Sequence, residues 1–109
     1  MPLQEPAPDV GTTTTTTYRV IPDEELEKPY RVIIENDDVT PMEFVIMVLQ
    51  TVFGLDMERA VTIMLQAHYE GQAYVVSLPL EEAQQRVYEA HSMAREAGYP
   101  LSFHLEPED

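Results

Sequence analysis

Residues 30–54 read "YRVIIENDDVTPMEFVIMVLQTVFG", an apolar run, an acidic turn and a helical pattern in immediate succession. "YRVII" reads as a strand, with Val32 and Ile34 as an inward-facing pair. Asn36, Asp37 and Asp38 then form a turn, because their short polar side chains bond to nearby backbone. The helix start that follows carries several signals. Thr40 is the expected N-cap, Pro41 takes the first helical position, and Glu43 completes a capping box with Thr40. Val39 and Phe44 are spaced as a hydrophobic staple. Phe44, Val45, Val48, Leu49 and Val52 recur with the helical period, and Gly54 can end the helix.

The pattern continues outward from this segment. Asp56 is the expected cap of a second helix, with Leu55 and Ala60 as a weak staple. Ala60, Ile63, Met64, Ala67 and His68 lie on one face of it, and Gly71 stops it. "AYVVSL", residues 73–78, reads as a strand. A third helix follows Pro79, carries Ala83, Val87, Ala90 and Ala94 on one face, and ends at Gly98 and Pro100. "LSFHLE", residues 101–106, alternates apolar and polar side chains as a half-buried strand does. The order is β-α-α-β-α-β, which predicts an α+β domain with three helices laid over one face of a small sheet.

Residues 1–29 have a different composition. They contain prolines, acids and the run "TTTTTT", residues 12–17, and too few apolar side chains to offset the entropy of ordering. This segment is expected to be a flexible N-terminal extension, with local extended structure at "TTYRVI", and residues 30–109 the folded domain. The extension either has no role or engages a partner.

Twenty acidic residues against six basic ones leave the 109-residue chain at a formal charge of −14. Such a surface repels phosphate backbones, so nucleic acid is not an expected partner; cationic partners are favoured, unless the charge serves solubility alone. The chain has no cysteine, which excludes disulfides and fits a reducing compartment. No apolar run approaches the roughly 20 residues that cross a bilayer. The first residues, "MPLQEPAPDV", lack the basic and apolar regions of a secretory signal. Cytoplasmic residence without membrane attachment is therefore expected.

No catalytic constellation emerges from the residues. Ser77, Ser92 and Ser102 occupy ordinary strand and helix contexts, and no glycine-rich phosphate loop is present. Asp37 and Asp38 with His68 or His104 do not have metal-ligand spacing. Neither enzymatic activity nor a metal or cofactor is expected. Binding fits better. Asn36 and Asp37, just before a capped helix, form a rigidly placed set of acceptors suited to a protonated amine. Met42, Met64 and Ala67 would supply an adaptable apolar patch beside them, unless they are simply core. His68 is either a satisfied boundary residue or a third polar group at the same corner. If the turn and the two helices surround one hollow, it would accept the first residue of a peptide.

"NDDVTPMEFV", residues 36–45, together with "VLQTVFGLDMERAVTIMLQAHYEG", residues 48–71, resembles the signature of the ClpS adaptor family, and the ending "AREAGYPLSFHLE" is similar too. The resemblance implies a three-stranded antiparallel sheet packed on three helices, like the C-terminal domain of the ribosomal large-subunit stalk protein. It implies an adaptor that binds substrates with bulky apolar first residues, Leu, Phe, Tyr or Trp. Such an adaptor hands them to a ClpA- or ClpC-type AAA+ unfoldase feeding the ClpP protease. By the same resemblance Asn36, Asp37 and His68 hold the substrate's α-amino group. Thr40, Met42, Val45, Met64, Ala67 and Leu101 form the side-chain pocket, with Met42 as the gate against β-branched residues. Glu81 and Arg86 fall on the face offered to the unfoldase, the extension serves delivery, and a monomer is expected.

The sequence also departs from the family pattern. Val39 stands where many relatives carry an aromatic residue, and Ala67 where many carry valine, which leaves more room for a large guest. "VVSL", residues 75–78, replaces a strand of smaller residues, and the start of the next helix differs although Glu81 persists. The alternative reading is a domain of the same fold that docks on an AAA+ partner and modulates it without recognising degrons.

Overall fold

The structure, a computed structural model, describes residues 20–108. In chain order its elements are α1 (Asp23–Leu26), β1 (Pro29–Glu35), α2 (Met42–Thr51), α3 (Met57–Glu70), β2 (Gln72–Pro79), α4 (Leu80–Ala97) and β3 (Ser102–Pro107). From β1 onward this is the expected β-α-α-β-α-β order. The three strands form one antiparallel sheet with β1 in the centre, in the order β2-β1-β3.

β1 is central because all of its middle is apolar. Val32, Ile33 and Ile34 are all buried. Val32 and Ile34 enter the helix-facing core with Val48, Leu49, Ile63 and Phe103, as the alternation requires. Ile33 lies on the opposite face, in a hollow lined by Arg31, Tyr74 and Glu106. There the Arg31 guanidinium sits 5.2 Å from the Tyr74 ring centre and 3.5 Å from Glu106. A register shift between Val32 and Ile33 leaves Val75 of β2 without a direct partner and brings Val75 and Val76 both against the core.

The second and third helices of the sequence reading start and stop where expected. The Asp56 side chain accepts the Arg59 N–H at 2.8 Å, and Gly71 closes α3 with φ of 93°. α4 begins directly after Pro79 and buries Ala83, Ala90 and Ala94, with Val87 partly covered. It ends in a Schellman arrangement: the Gly98 N–H bonds to Arg95 O and the Tyr99 N–H to Ala94 O.

Two expectations are corrected. The cap of α2 is Pro41, with ψ of 146°, and no side chain caps it. Thr40 does not cap, because its hydroxyl and its N–H both donate to Asp37. An ionised carboxylate is a stronger acceptor than a threonine hydroxyl, so Asp37 organises the turn. The expected staple is therefore absent. Val39 is exposed, and Phe44 packs edge-to-face on Tyr99 with ring centres 4.9 Å apart.

Some regular structure also precedes the expected boundary at residue 30. α1 precedes it, the Tyr30 hydroxyl donates to Glu25 at 2.9 Å, and the Leu80 N–H donates to Lys28 O. The acidic "DEEL", residues 23–26, inside the segment expected to be flexible, forms one helical turn with its carboxylates at the favourable N-terminal end. The threonine run and most of the proposed extension, residues 1–19, lie outside the described residues.

Candidate functional site

Where β1 ends, its chain must cross from the sheet to the start of α2, and the crossing is short. The Asn36 N–H donates to Gly71 O at 3.0 Å, which ties the turn to the end of α3. Asp37 then folds the chain back on itself. Its Oδ1 accepts the N–H groups of Val39 at 2.9 Å and Thr40 at 2.6 Å, and its Oδ2 accepts the Thr40 hydroxyl at 2.9 Å. This leaves the turn standing away from α3, with a hollow between them.

That hollow is a cavity of about 290 Å³. Its floor is apolar and buried: Ile34 from β1, Val45 from α2, Met64 and Ala67 from α3, and Leu101 ahead of β3. Its rim is polar and exposed: Glu35, Asn36, Asp38 and His68, with half-buried Asp37 and Thr40. Met42 and Val39 stand at the mouth, 43% and 64% exposed. Pockets for small ligands run from roughly 300 to 1,000 Å³, so this one suits a single residue rather than a length of peptide.

All nine residues named from the sequence as amine-binding or pocket-forming line this one cavity. His68 is neither core nor boundary packing. It is exposed at the rim, edge-on to Tyr69 with ring centres 4.9 Å apart. The structure adds Ile34, Glu35, Asp38, Val39 and Pro41 to the lining. Sequence reasoning left Asp38 to the turn and gave Asp37 to the ligand; both line the cavity, and the Asp37 carboxylate is the one engaged by the turn. Asp38 takes no part in the turn's hydrogen bonds and its exposed carboxylate faces solvent at the rim. Nothing in the residue types of a neighbouring Asp pair separates these two roles.

Glu81 and Arg86 are not at the cavity. Both lie on α4, where Glu81 is exposed in the first turn and Arg86 pairs along the helix with Glu82 at 3.7 Å and Glu89 at 3.3 Å. Among the described residues no group of three or more His, Asp or Glu side chains could hold a metal ion. No helix among them is long and apolar enough to cross a membrane.

The remaining histidines lie outside the cavity lining, and both involve β3. On β3, His104 lies between Glu35 and Glu106, with Nδ1 2.6 Å from the first and Nε2 2.9 Å from the second. Glu106, and then Glu35, raise its pKa above the ordinary value while desolvation opposes them. His91 of α4 accepts the Phe103 N–H at 2.9 Å. Burial, and then nearby Arg95, lower its pKa.

The comparisons with known proteins converge on one family. The family model described as "ATP-dependent Clp protease adaptor protein ClpS" matches residues 25–104. The ClpS adapter protein of Desulforapulum autotrophicum is 46% identical over 79 residues, covering 72% of this chain and 76% of that protein. ClpS 2 of Rhizobium meliloti is 43% identical over 86 residues, covering 77% and 85%. The structure of Agrobacterium tumefaciens ClpS2 bound to L-phenylalaninamide superposes with a TM-score of 0.72 at 41% identity, covering 75% of this chain and 99% of that one. An acidic turn over an apolar hollow, the three-stranded antiparallel fold and these matches agree: the chain belongs to the ClpS family, non-catalytic adaptors that bring N-degron substrates to the AAA+ unfoldase of the ATP-dependent Clp protease.

Proposed function

We propose that the cavity reads the first residue of a substrate, taking Leu, Phe, Tyr or Trp by its side chain and its free α-amino group together. The observation that carries this reading is the division of one residue-sized hollow into a carboxylate-and-amide rim and a buried apolar floor. The L-phenylalaninamide bound to the Agrobacterium relative has the same two parts, a primary amine and an aromatic side chain. An α-amino group has a pKa of about 8 and is mostly charged at neutral pH. Asn36, Asp38 and His68 provide acceptors for it at the rim, and Asp37 holds them in place through the turn. Charge-assisted bonds to this rim distinguish the amine from an internal amide, which has no charge and fewer protons. Burying a Leu or Phe side chain among Val45, Met64, Ala67 and Leu101 contributes roughly 1.5–3 kcal/mol. Met42 at the mouth would clash with a side chain branched close to its backbone.

Delivery belongs to other surfaces. In this reading Glu81 and Arg86 on α4 face a ClpA- or ClpC-type unfoldase, on an element that contributes no residue to the cavity. The N-terminal extension assists transfer, and the adaptor works as a cytoplasmic monomer. The kinship of the fold to the ribosomal stalk C-terminal domain, carried by the β-α-α-β-α-β order, is part of the same reading.

The test is a binding titration with peptides that differ only in their first residue, with an N-acetylated control. Tight binding of Leu, Phe, Tyr and Trp peptides and loss of binding on acetylation are expected. An acetylated peptide that binds as well as the free one would overturn amine recognition.

A further inference from the structure

One residue that lines the cavity has a titratable partner outside it. Glu35 ends β1 and lines the cavity beside Asn36. Its carboxylate lies 2.6 Å from one ring nitrogen of His104, and the other ring nitrogen lies 2.9 Å from Glu106. A neutral imidazole has a single N–H and can donate to one carboxylate only. Both contacts are hydrogen bonds at once only when the ring is an imidazolium. The other charged groups nearby are few. Arg31 of β1 lies 3.5 Å from the second oxygen of Glu106 and over Tyr74 of β2. Glu70 at the end of α3 enters the hollow that Arg31, Tyr74 and Glu106 share. On the helix-covered side, His91 of α4 meets β3 through the Phe103 N–H.

We propose that His104 sets the charge of the cavity wall and so tunes how strongly the substrate's α-amino group is held. The charged ring balances Glu35; the neutral ring leaves Glu35 an uncompensated anion at the end of the strand that leads into the amine-binding turn. His104 lines no part of the cavity, so it is a positioning residue that acts through Glu35. The proposal rests on the amine-binding reading of the cavity. Because Glu35 is 49% exposed on its side chain, water and salt screen the effect, and one unit of charge changes affinity about two- to fivefold. Linkage makes the coupling reciprocal: a bound ammonium group disfavours the proton on His104 to the same extent that the proton disfavours the ammonium.

The test uses the full chain and an amidated N-terminal Leu peptide without ionisable side chains, between about pH 5.5 and 7, where the amine stays mostly protonated. His104→Gln removes the positive charge and is expected to bind the peptide about threefold tighter than wild type at pH 6. Placing the same change in a Glu35→Gln background is expected to give no gain. In the wild-type chain, the NMR titration of the His104 ring is expected to move to lower pH when peptide is bound. This readout does not depend on any variant folding. Equal or weaker binding by His104→Gln at pH 6, or a His104 titration indifferent to peptide, would overturn the proposal. If binding requires the free amine and His104 has no influence, this inference alone fails. If the N-acetylated peptide binds equally, the reading of the cavity fails with it.

Discussion

Asp37 and Asp38 are the same residue type one position apart, and their surroundings divide the work between them. Asp37 spends both carboxylate oxygens on Val39 and Thr40. Asp38 stays exposed on the cavity rim. Asp37→Ala is expected to cost about 1–3 kcal/mol of stability in urea unfolding, because three donors lose their acceptor. Asp38→Ala is expected to leave stability within about 0.5 kcal/mol and to weaken a free-amine peptide by roughly tenfold. The reverse pattern, with stability lost at Asp38 and affinity alone lost at Asp37, would exchange the two assignments. Ala67 is decided by size rather than charge. It is buried in the cavity wall, so Ala67→Val takes space directly from the guest. Competition between Leu and Trp peptides is expected to shift toward Leu by about tenfold, the scale of a misfit of one or two methyl groups. Unchanged relative affinities would remove Ala67 from the specificity of the pocket.

At the scale of elements, β3 is an edge strand held by two histidines of opposite character. His91 accepts the Phe103 N–H through Nε2, which requires that nitrogen to be unprotonated, and its pKa is lowered by burial and by Arg95. Its contribution to stability is therefore present above the unfolded value of about 6.5 and is lost as pH falls through the folded value. His104 bonds two carboxylates and has a raised pKa, chiefly through Glu106. Its contribution is present below about pH 6.5 and is lost as pH rises through the folded value. Thermal unfolding of wild type, His91→Gln and His104→Gln between pH 5 and 8 separates the two. The first variant is expected to flatten the acid limb and the second the limb above neutrality. Swapped limbs would contradict both assignments. The elements themselves were legible in sequence wherever an apolar period met a stop signal, as in α3 between Asp56 and Gly71. The start of α2 was not. Thr40, Pro41 and Glu43 have the spacing of a capping box, but the competing acceptor three residues earlier lies outside that pattern.

Taken whole, the molecule keeps the cavity apart from the α4 face proposed to meet the unfoldase. The cavity is built by β1, the turn, α2, α3 and the residue ahead of β3, whereas Glu81 and Arg86 lie on α4. An adaptor has to hold its substrate while another surface meets the unfoldase, and this division allows it. Deleting residues 1–17 is expected to leave peptide affinity unchanged, since no residue before Ile34 lines the cavity among the described residues, and to slow substrate delivery in a reconstituted degradation assay. A loss of peptide affinity on deletion would show that the extension contributes to the binding site.

By itself the sequence determined the order of the elements, the faces they bury, and the residue types brought to one corner. Periodicity, caps and glycine stops are local, and each can be read within a few turns of chain. Only the tertiary structure decided that Asn36 and His68, 32 positions apart, share a rim, that Asp37 bonds the turn while Asp38 stays exposed, and that His104 reaches Glu35 on the neighbouring strand. Those outcomes depend on strand register and on competition between acceptors. Glu35 pairs with Ser102 and Ile33 with His104, which sets the imidazole beside the carboxylate. A pattern of residue types along one chain does not contain that register; it follows from burying Val32, Ile34 and Phe103 in the same core.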